Sequence, residues 1–262
     1  MLDVLERGSS RHRPLNLPTL TAGNLELRVA RTQEELEAAQ RLRHSVFSEE
    51  MQAVFPEGSR DIDADEYDPF CEHLLVYEQD SAQVVGTYRL LTPVNAALLG
   101  RYYSESEFDL SPLHGMRTQL VELGRSCIRH DHRNGAVILL LWAGIAHIVR
   151  QLGLRYVLGC ASVSLRDGGL AAAHVWQQAC RDMQHGLKMP YLRPHHPYPV
   201  KQDVVHADQP VRMPPLIKGY MKVGARICGE PAWDPDFNTA DFPVFLDIEH
   251  MDTRYRRHFG LG

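Results

Sequence analysis

Residues 119–163 read QLVELGRSCI RHDHRNGAVI LLLWAGIAHI VRQLGLRYVL GCASV, and their pattern decides the fold. Gln119–Ile128 is a short apolar stretch that predicts a strand. A polar turn, Arg129–Asn134, leads to Gly135 and then to a helical run that ends near Gly153. Tyr156–Val163 is apolar and β-branched again, a second strand. Strand, helix and strand in that order predict a right-handed parallel crossover. The apolar run Ala136–Ala146 is followed closely by His147 and Arg150. A bilayer crossing needs roughly 20 apolar residues, so this run predicts a buried helix, and any membrane contact is from the surface.

Upstream, Leu25–Val29 alternates as a strand does. Thr32 and Glu35 have capping-box spacing before a helix with apolar Leu36, Ala39, Leu42 and Phe47. Leu74–Tyr77 and Val84–Leu91 predict a hairpin about the polar turn Gln79–Gln83, followed by a loop-rich stretch. Downstream, a helix is expected over Leu170–His185, then a proline-rich loop, Pro190–Pro199, and a mixed C-terminal segment. Residues 1–24 are expected to form a tail and 25–262 a single α/β domain. Met1–Leu20 carries three arginines without an apolar core, so it does not read as a secretion signal.

The chain has 262 residues and a net charge of −5, which argues against general nucleic-acid binding. Its five cysteines are scattered without a CxxC pair. They suit free thiols in a reducing cytoplasm better than a disulfide framework or a zinc site.

Within the strand, Val121-Glu122-Leu123-Gly124-Arg125 places a carboxylate and a guanidinium where neither belongs unless paired or used. Residues three apart in a regular strand face opposite ways, and Gly124 permits a bulge that brings them round or splays the strand from its neighbour. A buried ion pair that only fixes register fits the same residues. At the following turn, Arg133-Asn134-Gly135-Ala136 opens a helix whose N-terminal N–H groups suit a phosphate. Any tight turn produces the same sequence.

Arg43 lies one helical turn before Phe47, and Arg89 is near the end of the hairpin's second strand. Asp61, Asp63, Asp65, Asp68 and Glu72 imitate a calcium loop, but Glu66 stands where the sharp turn demands glycine. The stretch then reads as a solvated acidic loop or as a cradle for an amine. His130/His132 and His195/His196 lack ligand partners at zinc spacing, so no metal is expected.

In order along the chain, Arg43-x-x-x-Phe47, Asp65-Glu66-Tyr67-Asp68, Arg89-Leu90-Leu91 and Glu122-x-x-Arg125 resemble the acyl-homoserine-lactone synthases, within the GCN5-related N-acetyltransferase (GNAT) superfamily. The chain more closely resembles the bacterial ornithine lipid synthases, from about Leu25 to Phe245. That likeness adds Asn134-Gly135-Ala136, the run Pro214 to Tyr220, and Pro231-Ala232-Trp233-Asp234. Residues 165–262 would be a family-specific part. No tryptophan follows shortly after Phe47, which argues against use of S-adenosylmethionine.

The resemblance implies a mixed, splayed central sheet flanked by helices. It implies a transferase that moves a 3-hydroxyacyl group from acyl carrier protein to the α-amine of L-ornithine, with no bound cofactor beyond the donor's acyl-phosphopantetheine. Glu122 is the expected base, with Arg125 beside it. Arg43, Arg89 and Arg125 are candidates for the acceptor carboxylate, Asp65 and Asp68 for its cationic side chain, and Phe47 for the acceptor site. Arg133–Ala136 would take the phosphate. Trp142 and Val157 serve either as plain core or as part of an acyl-chain surface. Acidic carrier protein would dock on Arg129, Arg133 and the cluster Arg254, Arg256, Arg257. Other amine acceptors, a non-catalytic carrier- or lipid-binding module, and a coenzyme A acetyltransferase are the competing readings.

Overall fold

The decisive crossover is present in the computed structural model, which describes residues 15–51, 53, 55, 61–184, 189–201 and 213–261. Strand β6 (Leu120–Ile128) passes through helix α3 (Ala136–Leu152) to strand β7 (Tyr156–Ser164), and the two strands run parallel. Gly153, in the left-handed region at φ 63°, closes α3 by donating its N–H to backbone carbonyls of the last turn.

Around this unit the described strands form a mixed sheet in the order β1-β2-β3-β4-β6-β7-β11-β10, with β9 also on β11. Here β1 is Leu20–Ala22, β2 Leu25–Val29, β3 Glu72–Glu78 and β4 Gln83–Leu91. Later come β9 (Arg226–Ile227), β10 (Ala232–Asp234) and β11 (Thr239–Asp247). Every pairing except β6–β7 is antiparallel. The expected tail therefore needs correction at its inner end. Leu20–Ala22 pairs with β2, and Leu15 is buried among the core residues beneath α3.

Helix α1 (Gln33–Met51) begins as its spacing predicts. Thr32 Oγ1 accepts from the Glu35 N–H (3.2 Å), while Glu35 accepts from the Thr32 N–H (3.2 Å). Helix α3 lies across β1–β4. A Cβ at Gly144 would stand 2.4 Å from Leu27, so glycine is what lets the helix settle there. The loop-rich stretch holds more order than its sequence shows. It contains helix α2 (Pro93–Leu99), capped by Thr92, the 3-10 turns Tyr103–Ser106 and Ser111–Gln119, and strand β5 (Phe108–Asp109). The proline-rich loop contributes β8 (Arg193–Pro194), paired with β5. Helix α4 covers Leu170–Gln184, and His185, its expected end, lies outside the described residues. Helices α5 (Pro215–Val223) and α6 (Thr253–His258) complete the C-terminal part, whose longest strand, β11, pairs with the whole of β7.

Candidate active site

The β6–β7 ladder stops at Leu123↔Gly159, although both strands continue for five more residues. They diverge as a V toward the C-terminal end of β6. On the other edge of β6, Thr87↔Cys127 and Arg89↔Gly124 show one extra residue between the two pairs, a β-bulge. The left-handed backbone falls on Arg125 (φ 49°), not on Gly124. For a residue with a Cβ that conformation costs about 1–2 kcal/mol, so side-chain bonds have to hold it.

Those bonds belong to a network of three arginines and three aspartates. Arg43 pairs with Asp63 (2.8 Å) and Asp68 (2.7 Å), and Arg89 with Asp65 (2.6 Å) and Asp68 (2.8 Å). Arg125 pairs with Asp63 (3.1 Å) and Asp65 (3.4 Å). Buried guanidinium groups need carboxylates of this number, and the two arginines beside Asp68 hold its carboxyl well below the usual range. The acidic stretch is thus neither a solvated loop nor, at Asp68, an open cradle. Asp68 also accepts from Gln40 Nε2 (2.8 Å), so its oxygens are engaged inside the protein. Arg43 is fully buried and off the cavity wall, against its expected place in the acceptor site. Phe47, Arg89, Glu122 and Arg125 do reach that wall; Asp65 and Asp68 do not.

The cavity, of about 210 Å³, runs through the V. Its apolar portion is lined by Trp142, Ile145 and Val149 of α3, by Val157 of β7, and by Met251 and Leu261 near the C-terminus. Its polar portion holds Arg89, Ser104, Glu122, Arg125, Asp234 and Asp241. Trp142 and Val157, whose sequence leaves core and chain-binding roles open, both face the cavity.

Glu122 is buried at 4% exposure yet belongs to the wall. The N–H groups of Tyr103 (2.6 Å) and Ser104 (2.8 Å) and the Ser104 hydroxyl (2.5 Å) donate to its carboxylate. Burial raises its pKa above the ordinary glutamate value, against the pull of those donors and of Arg89. Arg125 does not pair with Glu122, so the motif is not a register-fixing ion pair. Tyr103 and Ser104 escape sequence reading because a single 3-10 turn leaves no periodic trace.

Arg133, Asn134, Gly135 and Ala136 cluster where β6 ends and α3 starts, at the wide end of the V, but none lines the cavity. Gly135 has φ 98°, Asn134 Oδ1 accepts from the Ala136 N–H (3.1 Å), and Arg133 donates to Glu50 (2.5 Å) and to the Ile128 carbonyl. Two thiols, Cys71 and Cys160, also border the cavity, and burial pushes both well up. They stay protonated near neutral pH.

Residues 42–143 match the acetyltransferase (GNAT) domain family, in keeping with the mixed, splayed sheet. The L-ornithine N(alpha)-acyltransferase of Rhodobacter capsulatus is 36% identical over 248 residues, covering 89% of this chain and 94% of that protein. The enzyme of the same name from Brucella abortus is 34% identical over 262 residues, covering 91% and 89%. Among solved structures, the coenzyme A-dependent acyl-homoserine lactone synthase BjaI superposes with TM-score 0.48 and 18% identity, covering 87% of this chain and 83% of that one. On the identity and coverage shared with these relatives, and with a splayed sheet around a buried acid, the chain belongs to the L-ornithine N(alpha)-acyltransferase family of acyltransferases.

Proposed function

We propose that this acyltransferase moves a 3-hydroxyacyl group from the phosphopantetheine thioester of acyl carrier protein to the α-amine of L-ornithine, giving a lyso-ornithine lipid. The observation that supports this most is Glu122, a buried carboxylate on a cavity whose other portion is apolar enough for a fatty chain. The relatives' shared name supports the acceptor.

The acceptor amine is protonated at neutral pH and must lose a proton before it can attack. Glu122 takes that proton, directly or through a water, and its raised pKa makes it the stronger base. The freed lone pair attacks the thioester carbonyl carbon. Negative charge develops on the carbonyl oxygen, and backbone N–H groups along the edges of β6 and β7 beyond the last rung, Leu123↔Gly159, would stabilise it. The C–S bond then breaks, and the departing thiolate takes up the proton that the nitrogen must still lose, leaving a neutral amide and a free thiol. Arg89 and Arg125, on the wall beside Glu122, suit the acceptor carboxylate. Arg43 and Asp68 serve this site indirectly, by fixing the network that holds Arg125 in its left-handed turn. The donor arm would enter at the wide end of the V, close to Arg133–Ala136. An amphipathic product would leave toward a membrane surface from a cytoplasmic enzyme.

The test is incubation of the purified protein with 3-hydroxyacyl carrier protein and L-ornithine, following thiol release and product mass. An ornithine-dependent release with an α-N-acyl product is the expected result. Release that no amine stimulates, with carrier protein bound tightly, would point to a binding module instead. Turnover restricted to acetyl-coenzyme A would overturn the fatty donor.

A further inference from the structure

Three carboxylates outside the catalytic motif come together, two of them on the cavity wall and the third, Glu107, beside them. One carboxylate oxygen from each of Glu107, Asp234 and Asp241 lies within 4.8 Å of the other two. Asp234 and Asp241 form part of the wall that also holds Glu122. Among the described residues no ion pair reaches any of the three, while the nearby aspartates 63, 65 and 68 are each matched to arginines. Arg125, on the same wall, is turned to Asp63 and Asp65. Asp241 is 4% exposed, and its donors are hydroxyls, that of Thr239 at 2.7 Å and that of Ser162. Asp234 Oδ1 accepts the N–H groups of Asp236 and Phe237, which fixes it in a turn. Glu107 Oε2 is shut off from solvent and has no partner at hydrogen-bond geometry, and the donors beside its carboxyl, the Cys160 thiol and the Tyr103 hydroxyl, are both uncharged.

Three carboxylates held together by uncharged donors alone are an unfavourable arrangement unless a cation completes it. Burial and mutual repulsion push the Glu107 carboxyl well up and that of Asp241 up to about 6, as expected for acids short of a counter-ion. The cluster also lies one residue away from the base. Ser104 Oγ donates to Glu122 at 2.5 Å and lies 3.3 Å from Cys160 Sγ, and Cys160 is a neighbour of Glu107.

We propose that Glu107, Asp234 and Asp241 form the pocket for the side-chain ammonium of a diamino-acid acceptor, so that its α-amine falls to Glu122. The proposal rests on the acyl-transfer reading above and adds to it the group that selects the acceptor. The ammonium supplies three N–H donors, enough for one oxygen of each acid. A monoamino acid of the same length would leave all three acids unmatched and be rejected for that reason. Asp65 and Asp68, the acids expected from sequence to take this charge, are spent on Arg43, Arg89 and Arg125.

L-Ornithine and L-norvaline share the carbon skeleton, α-amine and carboxylate and differ only in the side-chain amine, so they make the decisive pair. With a long-chain carrier thioester, the wild type should favour ornithine in kcat/KM by about 100-fold or more. In Asp241→Asn, and in Asp241→Asn combined with Glu107→Gln, that preference should collapse through a raised ornithine KM, with kcat/KM for ornithine falling much further than kcat/KM for norvaline. Equal losses for both amines, or an unchanged preference, would overturn the pocket. A melting measurement without donor gives an independent readout. Ornithine, and not norvaline, should raise the wild-type Tm, and the double variant should lose the response. If no amine is acylated while ornithine still stabilises the wild type specifically, the transfer reading fails and the pocket stands. Stabilisation by calcium or magnesium, abolished by chelation, with none by ornithine, would overturn the pocket in favour of a metal site.

Discussion

Glu122 is the proposed base, and its surroundings set how it should respond to change. Replacing it with glutamine keeps an acceptor oxygen but turns an NH2 group toward the donors at Tyr103 and Ser104. A stability loss of about 1–2 kcal/mol is expected from that mismatch. Acyl transfer should fall far more, by about 10²–10⁴-fold, with the fold intact by circular dichroism. Because the folded carboxyl has a raised pKa and must be ionised to accept a proton, wild-type kcat/KM should fall as pH drops through a limb above the ordinary glutamate range. The residual rate of Glu122→Gln should lack that limb. A wild-type profile flat across it would remove Glu122 as the base.

Asp241 offers a separate check on burial. Its folded pKa, pushed up to about 6 by burial, exceeds the ordinary aspartate value, so between the two the folded state holds a proton that the unfolded chain has released. Stability therefore falls as pH rises through that window and stays lower above it. Asp241→Asn removes the penalty and keeps an oxygen for Thr239. The variant should be more stable than wild type by about 1–3 kcal/mol at pH 7, with the difference closing toward pH 4. Urea melts at the two pH values would show it.

At the level of elements, the V between β6 and β7 depends on two glycines with opposite tolerances. A Cβ at Gly159 would stand 2.6 Å from the Leu123 carbonyl oxygen, at the last rung before the strands part. Gly159→Ala should cost about 1–3 kcal/mol, because backbone rather than a flexible side chain must move. A Cβ at Gly124 meets nothing within 4 Å. Gly124→Ala should leave the Tm nearly unchanged yet alter KM, since its methyl projects at the cavity wall. Thermal melts beside kinetics would separate the two.

The V itself was legible in the sequence. Glycine beside a carboxylate and a guanidinium in an apolar strand permits a bulge and a parting, although a register-fixing ion pair fits the same residues. The strained position was not, because nothing local favours a left-handed arginine; two aspartates some 60 positions upstream hold it there. The same distance hid the role of the acidic stretch. Its charges look solvated until Arg43, Arg89 and Arg125 are brought against them. Ser104 and Glu107 lie in turns without periodicity, and Asp241 in a strand buried along most of its length, so only the folded sheet gathers them.

Across the whole molecule, an acidic chain is expected to receive an acidic carrier protein, so docking has to be local. Arg129 and Arg133 stand at the wide end of the V, and Arg133 remains 43% exposed while paired with Glu50. Arg133→Glu should lower kcat/KM for carrier-borne donors by about 10-fold at low salt, with the gap narrowing as salt rises. The rate with a short pantetheine thioester should stay close to wild type. Equal losses on both donors would move docking elsewhere.

The cavity's division into a greasy portion and a charged one also bears on the order of events. On the proposed reading, fatty donor and amino acid occupy different regions, and the two thiols on the wall are held protonated by burial, so neither is suited to carry the acyl group in between. Both substrates must then be present together, and initial-velocity lines at varied concentrations of each should intersect rather than run parallel.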